Sequence, residues 1–513
     1  MYEAFDAIEP FWGAETTKKS GRDPLAVQNS SVVIYVNMIN GITNVTSRVR
    51  YNGFFCWLLT FIAERLQQNN PSKIDNPKEQ IKYIRRGELL LAYTMLYNYP
   101  LVIGVNGSIY ASNNINSDTL NIAVGADVEH KPKVYWQNNM GVFGQYYLGV
   151  LTQLQLIFIP DASHKTYRVT PKGLALCEAF RKSLSKKSEN LFWEAVVNGE
   201  IQKDKLAELK GIALHLINNE DELNEYSTIF SAPERRSSIG KDINHRIASI
   251  RLLLDYIQGD GALTKQKSFV LSFLQNNFLK SLENDLEVSD EQMSWFLYEL
   301  NELSHAAYEA FHFAIAYSTT EEPLPLEGIL NGLEKGFHKC SKQAKDNYGI
   351  YELYESLQTA YKEKDYGALT FYASQLLIKL YSTIEKHAVK LIQYAQLEDY
   401  DSHPGFAPTL LYRLVGSIDK KCDWTFAEAC IFSAINDHLR SSYSKSSIGQ
   451  GIVHNYMVDD GLIWLIRCTT PIRTTPRLQN VLQYLEDMKW IELGEDGCYM
   501  VTERGTKMMS QIC

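Results

Sequence analysis
The sequence predicts a mainly α-helical protein with a small helix-plus-hairpin (α+β) module at each end. Three observations carry that expectation. Apolar residues recur every three or four positions through most of the middle of the chain, as a single buried helix face requires. Strand signal is nearly absent between about residues 188 and 400. Two segments near opposite ends, around 150–173 and 481–505, read alike. At 513 residues the chain can bury several cores. We expect an N-terminal domain over 1–187, a helical middle over 188–400 and a C-terminal domain over 401–513.

The first 40 residues mix Pro, Gly and polar groups with one apolar run at 31–36. Asn44, Thr46 and Ser47 are helix-capping types just ahead of the apolar stretch 54–66, which predicts a buried helix there. Asn69-Asn70-Pro71-Ser72 spells a loop. A second helix is expected over about 78–96, with Ile81, Ile84, Leu89, Leu90 and Ala92 inward and Arg85-Arg86 in its middle. Residues 100–140, rich in Asn, Gly and Ser, read as an irregular, partly stranded surface segment. Further helices are expected over 242–258, 265–282, 290–317 and 366–395. A mobile loop at 231–240 and the Pro-containing break at 321–325 separate them, and 401–405 marks the start of the last domain.

The two similar segments share one order of parts. In the first, Val150-Leu151-Thr152-Gln153-Leu154 leads through Leu156-Ile157-Phe158-Ile159 to Tyr167-Arg168-Val169-Thr170-Pro171-Lys172-Gly173. In the second, Val481-Leu482-Gln483-Tyr484-Leu485 leads through Trp490-Ile491-Glu492-Leu493 to Tyr499-Met500-Val501-Thr502-Glu503-Arg504-Gly505. Helix, strand, polar turn, strand and Thr-capped helix follow in both. Alternating Tyr and Val suit a strand with one buried face, and Thr suits the cap of the next helix. This arrangement resembles the winged-helix fold, whose end signature Tyr-x-Val/Leu-Thr-x-x-Gly is met by Tyr167, Val169, Thr170 and Gly173, and by Tyr499, Val501, Thr502 and Gly505. The resemblance implies DNA or protein binding and covers only the two ends. In outline, terminal winged modules around a long helical middle also resemble kleisin-type accessory subunits of SMC complexes, including those of antiphage systems of the Wadjet or Lamassu kind.

Composition narrows the function classes. Hydrophobic residues are 45% and charged residues 22%, which excludes wholesale disorder. Net charge is −9, so any nucleic-acid contact has to come from a local basic patch. The acidic opening, Met1 to Asp6, is not a signal peptide, and no apolar run reaches the ~20 residues of a bilayer span. Eight scattered cysteines with no C-x-x-C pair suggest reduced thiols in a cytoplasmic protein. Phosphate-loop, G-x-S-x-G and H-E-x-x-H patterns are missing. Gly259-Asp260-Gly261 with Lys265 is too loose for a phosphate cradle. His305 and His312, with Glu299 and Glu302 nearby, fit buried helix positions better than metal ligation, and Glu385, His387 and Lys390 lack an upstream Asp for nuclease chemistry. We therefore expect no catalytic residue, metal or cofactor.

For binding, Arg48, Arg50, Arg85 and Arg86, and Arg467, Arg473 and Arg477, are the candidates for a phosphate-backbone patch, with Arg181, Lys182, Lys186 and Lys187 as a further basic cluster. The candidate helices of the repeats are poor DNA readers: 143–154 carries no charge, and 476–489 balances Arg477 and Lys489 against Glu486 and Asp487. Gln145 and Tyr146 in the first, and Gln479, Gln483, Tyr484 and Met488 in the second, are instead expected to face a protein partner. The expected function is a non-enzymatic accessory subunit of a prokaryotic DNA-handling or antiphage complex, with an SMC-like ATPase as a partner, no membrane contact, and DNA contacted mainly within the complex. A stand-alone DNA-binding regulator and a divergent nuclease effector are the alternatives.

Overall fold
The computed structural model describes residues 23–231, 245–345, 347–403, 405–416, 422–447, 453–467, 471 and 473–511, with two short strands at 234–235 and 242–243. The chain is mainly helical, with small antiparallel sheets. It forms two compact units, one of residues 1–36 and 274–474, the other of 37–273 and 475–513. These do not coincide with the expected boundaries: a helix, Lys186–Asn198, runs through 187/188, and Tyr400 is buried. The reason is long-range packing, since the last 39 residues complete the unit that begins at Asn37. Most of the expected 231–240 loop, and Met1 to Asp6, lie outside the described residues.

The unit of 274–474 is built on one 29-residue helix, Asp290–Ser318, opened by a capping box of Ser289 and Gln292. From Met293 to Ala316 that helix is buried on every side, its ionisable Glu299, Glu302, His305, Glu309 and His312 included. Helices Tyr366–Ile384, Trp424–Ser447 and Ala407–Leu411 pack against it. The helix expected over 366–395 breaks at 385–387 and resumes as Ala388–Leu397. Leu324–Pro325, expected only as a break, pairs with Leu462–Ile463 in a three-stranded sheet. The apolar run at 31–36 falls in the helix Asn29–Met38.

In the other unit, the helix Arg50–Asn69 packs an aromatic core in which Trp57 stacks on Phe61 and meets Phe192 edge-on. Its start differs from expectation. Val49, not Asn44, Thr46 or Ser47, holds the cap position, because Thr46 closes a turn by accepting from Thr43 N and Ser47 donates to Gly104 O. The neighbouring helix, Pro77–Asn98, is capped by Asn76, with Pro77 at its first position.

Both repeats lie in this unit, and their local structure agrees bond by bond. Helix Leu148–Gln153 and helix Leu478–Asp487 each end at a non-glycine residue of positive φ, Gln155 and Lys489. Leu156 N donates to Leu151 O and Trp490 N to Leu485 O, both at 2.8 Å, the Schellman bond that closes a helix. Ile157–Phe158 pairs with Arg168–Val169 over two residues and Ile491–Leu493 with Tyr499–Val501 over three, with Ile157 opposite Val169 as Ile491 is opposite Val501. Thr170 and Thr502 then cap the last helices, each accepting from the glycine three residues on at 3.1 Å. The pairing aligns Val150 with Tyr484, not with Val481: the sequence repeat is one helical turn out of register ahead of the hairpin. Conserving a Val–Leu dipeptide misplaced it, whereas Tyr167 and Tyr499 do occupy equivalent places.

Gly173 and Gly505 explain the fixed end of the motif. A Cβ would stand 2.2 Å from Leu156 O in one and 2.1 Å from Trp490 O in the other, both backbone atoms that cannot turn aside. Gly173→Ala and Gly505→Ala are therefore expected to cost ~2 kcal/mol or more each in urea unfolding. Lys489→Gly, which relieves the left-handed residue, is expected to stabilise by up to ~1 kcal/mol. A Gly505→Ala chain as stable as the parent would contradict the close approach.

Candidate functional site
The expected basic patches are not surface features. Arg50 is fully buried and bidentate with Glu222 at 2.7 and 3.0 Å, donates to Gly211 O and Ala213 O, and covers the Phe180 ring. Arg86 grips Asp127 at 2.8 and 2.6 Å and donates to Val196 O and Val197 O. Arg85 donates to Ala126 O, Trp136 O and Asn138 O. Arg48 pairs with Asp487 at 2.7 Å, and Arg477 donates to Ile42 O. In the other unit Arg473 pairs with Glu299 and Glu302 and Arg467 donates to Val453 O. A guanidinium with five donors is the side chain best able to tie several carbonyls together, and that is its use at most of these positions. Of the further cluster, Arg181 pairs with Glu64 and Glu189, Lys182 with Asp221 and Lys187 with Glu208 on the surface.

The second helix also differs from expectation. Tyr484 and Met488 are 0% and 1% exposed, so neither faces a partner. The helix spans only Leu478–Asp487, and its Tyr484 side packs against its own unit: the ring meets Phe230 edge-on at 5.4 Å. Asn480 of the same helix donates to Thr43 O and Thr46 O. Gln479 is exposed, and half-buried Gln483 donates to Glu486 and Asp487.

Ionisable groups also line one face of Asp290–Ser318. His305 bonds Gly405 O at 2.7 Å, Gln28 donates to Glu309, and His312 bonds Asn455 Nδ2 beside the His438 ring. Burial lowers His305 to about 4 and His438 to about 3, and raises the Glu309 carboxyl well above the usual range. No group of side chains among the described residues could hold a metal. Lys390 and His387 meet Glu287 and Asp285, not a shared centre. This row is interior hydrogen bonding.

What is open lies around Gln145 and Tyr146. Gln145 accepts from the Trp136 indole at 2.8 Å, and Tyr146 meets the same ring edge-on at 5.3 Å. Beside them is a cavity of about 480 Å³ lined by Val105, Ile109, Tyr110, Val134, Tyr135 and Trp136, among others. Leu101, Ile103 and Ile109, from the loop and helix that form its wall, are 92%, 77% and 80% exposed. No Asp, Glu, Lys, Arg or His occurs from Leu89 to Ser117, or from Val134 to Pro160, in a chain with 22% charged residues. Those two stretches supply all the residues lining the cavity. Isolated exposed aliphatics are ordinary, but a charge-depleted group with aromatics has the composition of a protein interface core. Reading for positive motifs missed it. The signal was present in the sequence as an absence of charge.

The face is held from behind. Arg48 donates to Ile103 O, Ser47 to Gly104 O, and Asn106 N to the Tyr51 hydroxyl. Tyr135 donates to Glu88, which also accepts from Val142 N and Phe143 N at 3.0 and 2.6 Å. Burial pushes the Glu88 carboxyl up to about 7, against the pull of those donors and Arg85. Comparison with known proteins gives no match: no family model, no curated protein and no solved structure is similar to this chain.

Two measurements follow from this geometry. Arg50→Met leaves Glu222 buried without its ion partner, so a loss of about 3–5 kcal/mol is expected in chemical unfolding. Glu88 is protonated more readily folded than unfolded, so its contribution is fully present below the unfolded pKa and is lost as pH rises through about 7. The stability difference between the parent chain and Glu88→Gln should therefore shift in the parent's favour between about pH 8 and about pH 5.5. A pH-independent difference would refute it.

Proposed function
We propose that this chain is a non-enzymatic accessory subunit that works by docking a protein partner. One observation carries the proposal: the cavity beside Trp136 is lined wholly by uncharged residues and flanked by the exposed Leu101, Ile103 and Ile109, with the exposed charges of 118–133 between its two lining stretches, while the arginines that could have met phosphate are tied to carboxylates and carbonyls within the chain. Desolvating such a face against protein costs little, whereas a DNA-binding face gains its affinity from free cations.

In the finer form of this proposal the repeats are winged-helix modules, the complex is a prokaryotic DNA-handling or antiphage assembly, and an SMC-like ATPase is the partner. The two matching helix–hairpin–helix segments support the first of these statements. Wing hairpins in this chain have little room for phosphate contact, since Arg168 pairs with Asp75 and the second hairpin carries Glu492, Glu495 and Asp496.

The test is co-expression with the products of the neighbouring genes, alongside duplex binding by the purified chain. We expect a co-purifying protein that Leu101→Glu or Ile109→Glu releases while the melting temperature is retained, and no duplex binding with a steep salt slope by the chain alone. Tight, salt-sensitive duplex binding lost on neutralising Lys165 and Arg168 would instead establish a DNA-binding regulator.

A further inference from the structure
We infer that His312 and His438 form an acid-sensitive latch, which seats the hairpin 456–465 while both imidazoles are neutral and releases it when they take up protons. The latch lies in the unit of 274–474 and is independent of the docking proposal.

The hairpin is a body of its own. Strands Tyr456–Asp459 and Leu462–Leu465 pair along their full length and turn through Asp460-Gly461, both at positive φ, as a two-residue hairpin turn requires. Beyond that pairing the sheet holds it at two residues, Leu324 and Pro325. Tyr456 and Ile463 on one face are buried, whereas Met457 and Trp464 on the other are exposed.

Asn455 is the joint that seats it, and its bonds fix the state of the rings. Asn455 N donates to His438 Nε2 at 3.1 Å, so that nitrogen carries no proton. His438 Nδ1 carries one instead and donates to Pro24 O at 3.1 Å. A backbone amide cannot turn over, so a proton on Nε2 sets N–H against N–H. Asn455 Nδ2 stands 3.1 Å from His312 Nε2, where a second ring proton meets the same conflict. The two ring centres are 4.4 Å apart, so charge on one ring opposes charge on the other.

The surroundings offer no compensation. Tyr456 meets the rings of His312 and His438 at 5.2 and 4.7 Å, and His454 is 6.2 Å from His438. Lys445 and Arg467 are the cations that act on His438, and both oppose a further positive charge. The carboxyls of this region are engaged elsewhere: Asp23 with the N–H groups of Val27 and Gln28, Glu309 with Gln28, and Asp437 with Arg413 and the Tyr308 hydroxyl. Burial holds His438 down to about 3 and His312 well below the usual histidine range. A released ring titrates at about 6.5, so what neutral His438 contributes is complete above that pH and is lost as pH falls toward 3. At about pH 5 this one ring favours release about thirtyfold over its value at about pH 7.5.

Hydrogen exchange read by mass spectrometry on the full chain tests this, at about pH 7.5 and about pH 5 with labelling times matched for intrinsic exchange. Protection of 455–465 is expected to fall at least about tenfold at the lower pH, while helix Tyr366–Ile384 of the same unit keeps its protection. His438→Gln gives Asn455 N an amide oxygen but takes up no proton, and should diminish the fall; His312→Gln/His438→Gln should abolish it. His305→Gln, which alters a buried ring bonded to Gly405 O on the same helix as His312, should leave it unchanged. Protection of 455–465 that is equal at both pH values, or lost equally from Tyr366–Ile384, overturns the inference. So does a fall that persists in the double variant. If circular dichroism shows the double variant unfolded, the parent's contrast between 455–465 and Tyr366–Ile384 decides.

Discussion
The buried Arg50–Glu222 pair is the interaction on which the unit of 37–273 and 475–513 depends. A guanidinium taken out of water is tolerable only if its donors are met, and Arg50 meets them with both Glu222 oxygens and two carbonyls at 211 and 213. Satisfying it fixes the first turn of Arg50–Asn69 against the helix Glu220–Ser231 and the turn at 211–213 at once. Its neighbours extend the same hub. Arg48 with Val49 N holds Asp487, Thr43 O and Thr46 O receive Asn480, and Gln153 of the first repeat accepts from Gly41 N. Gly41 to Arg50 is the segment onto which both repeats fasten.

That hub explains why the two repeats diverge outside their shared bonds. The helix-ending Schellman bonds, the hairpin pairing and the Thr–Gly cap are backbone requirements and leave a signature that sequence alone displays. Away from those bonds the buried side chains differ: the equivalent position is Val150 in one copy and Tyr484 in the other, the latter packed on Phe230. The edges of the hairpins are covered by different means as well: Gln80 bonds both ways with Tyr167 in the first, and Lys265 bridges to Cys498 in the second.

The helices, their main breaks and the hairpins were legible because periodicity and turn chemistry are local. The fate of the arginines was not. Arg50 finds Glu222 across 172 residues and Arg48 finds Asp487 across 439, and nothing in a charge run distinguishes a solvated cation from one that will be desolvated by a distant carboxylate. Tyr484 failed for the same reason. A short amphipathic helix has one face that periodicity assigns to the core, and the burial of the opposite side depends on a segment far away in sequence.

At the cavity beside Trp136 the charge lies behind the lining and not in it. Cations at 48, 85 and 86 and the carboxyl at 88 bond backbone that would otherwise need water, while the residues lining the cavity beside Trp136 are amides, hydroxyls, aromatics and aliphatics. Such a layer would be poorly solvated if its only role were to face water, and a helix or turn there could have used Lys or Glu at no structural cost. The ionic network beneath holds its loops in place without help from surface salt bridges. Rigid backbone support under an uncharged lining is the combination that allows that lining to lose its water to another protein without leaving an unpaired charge behind.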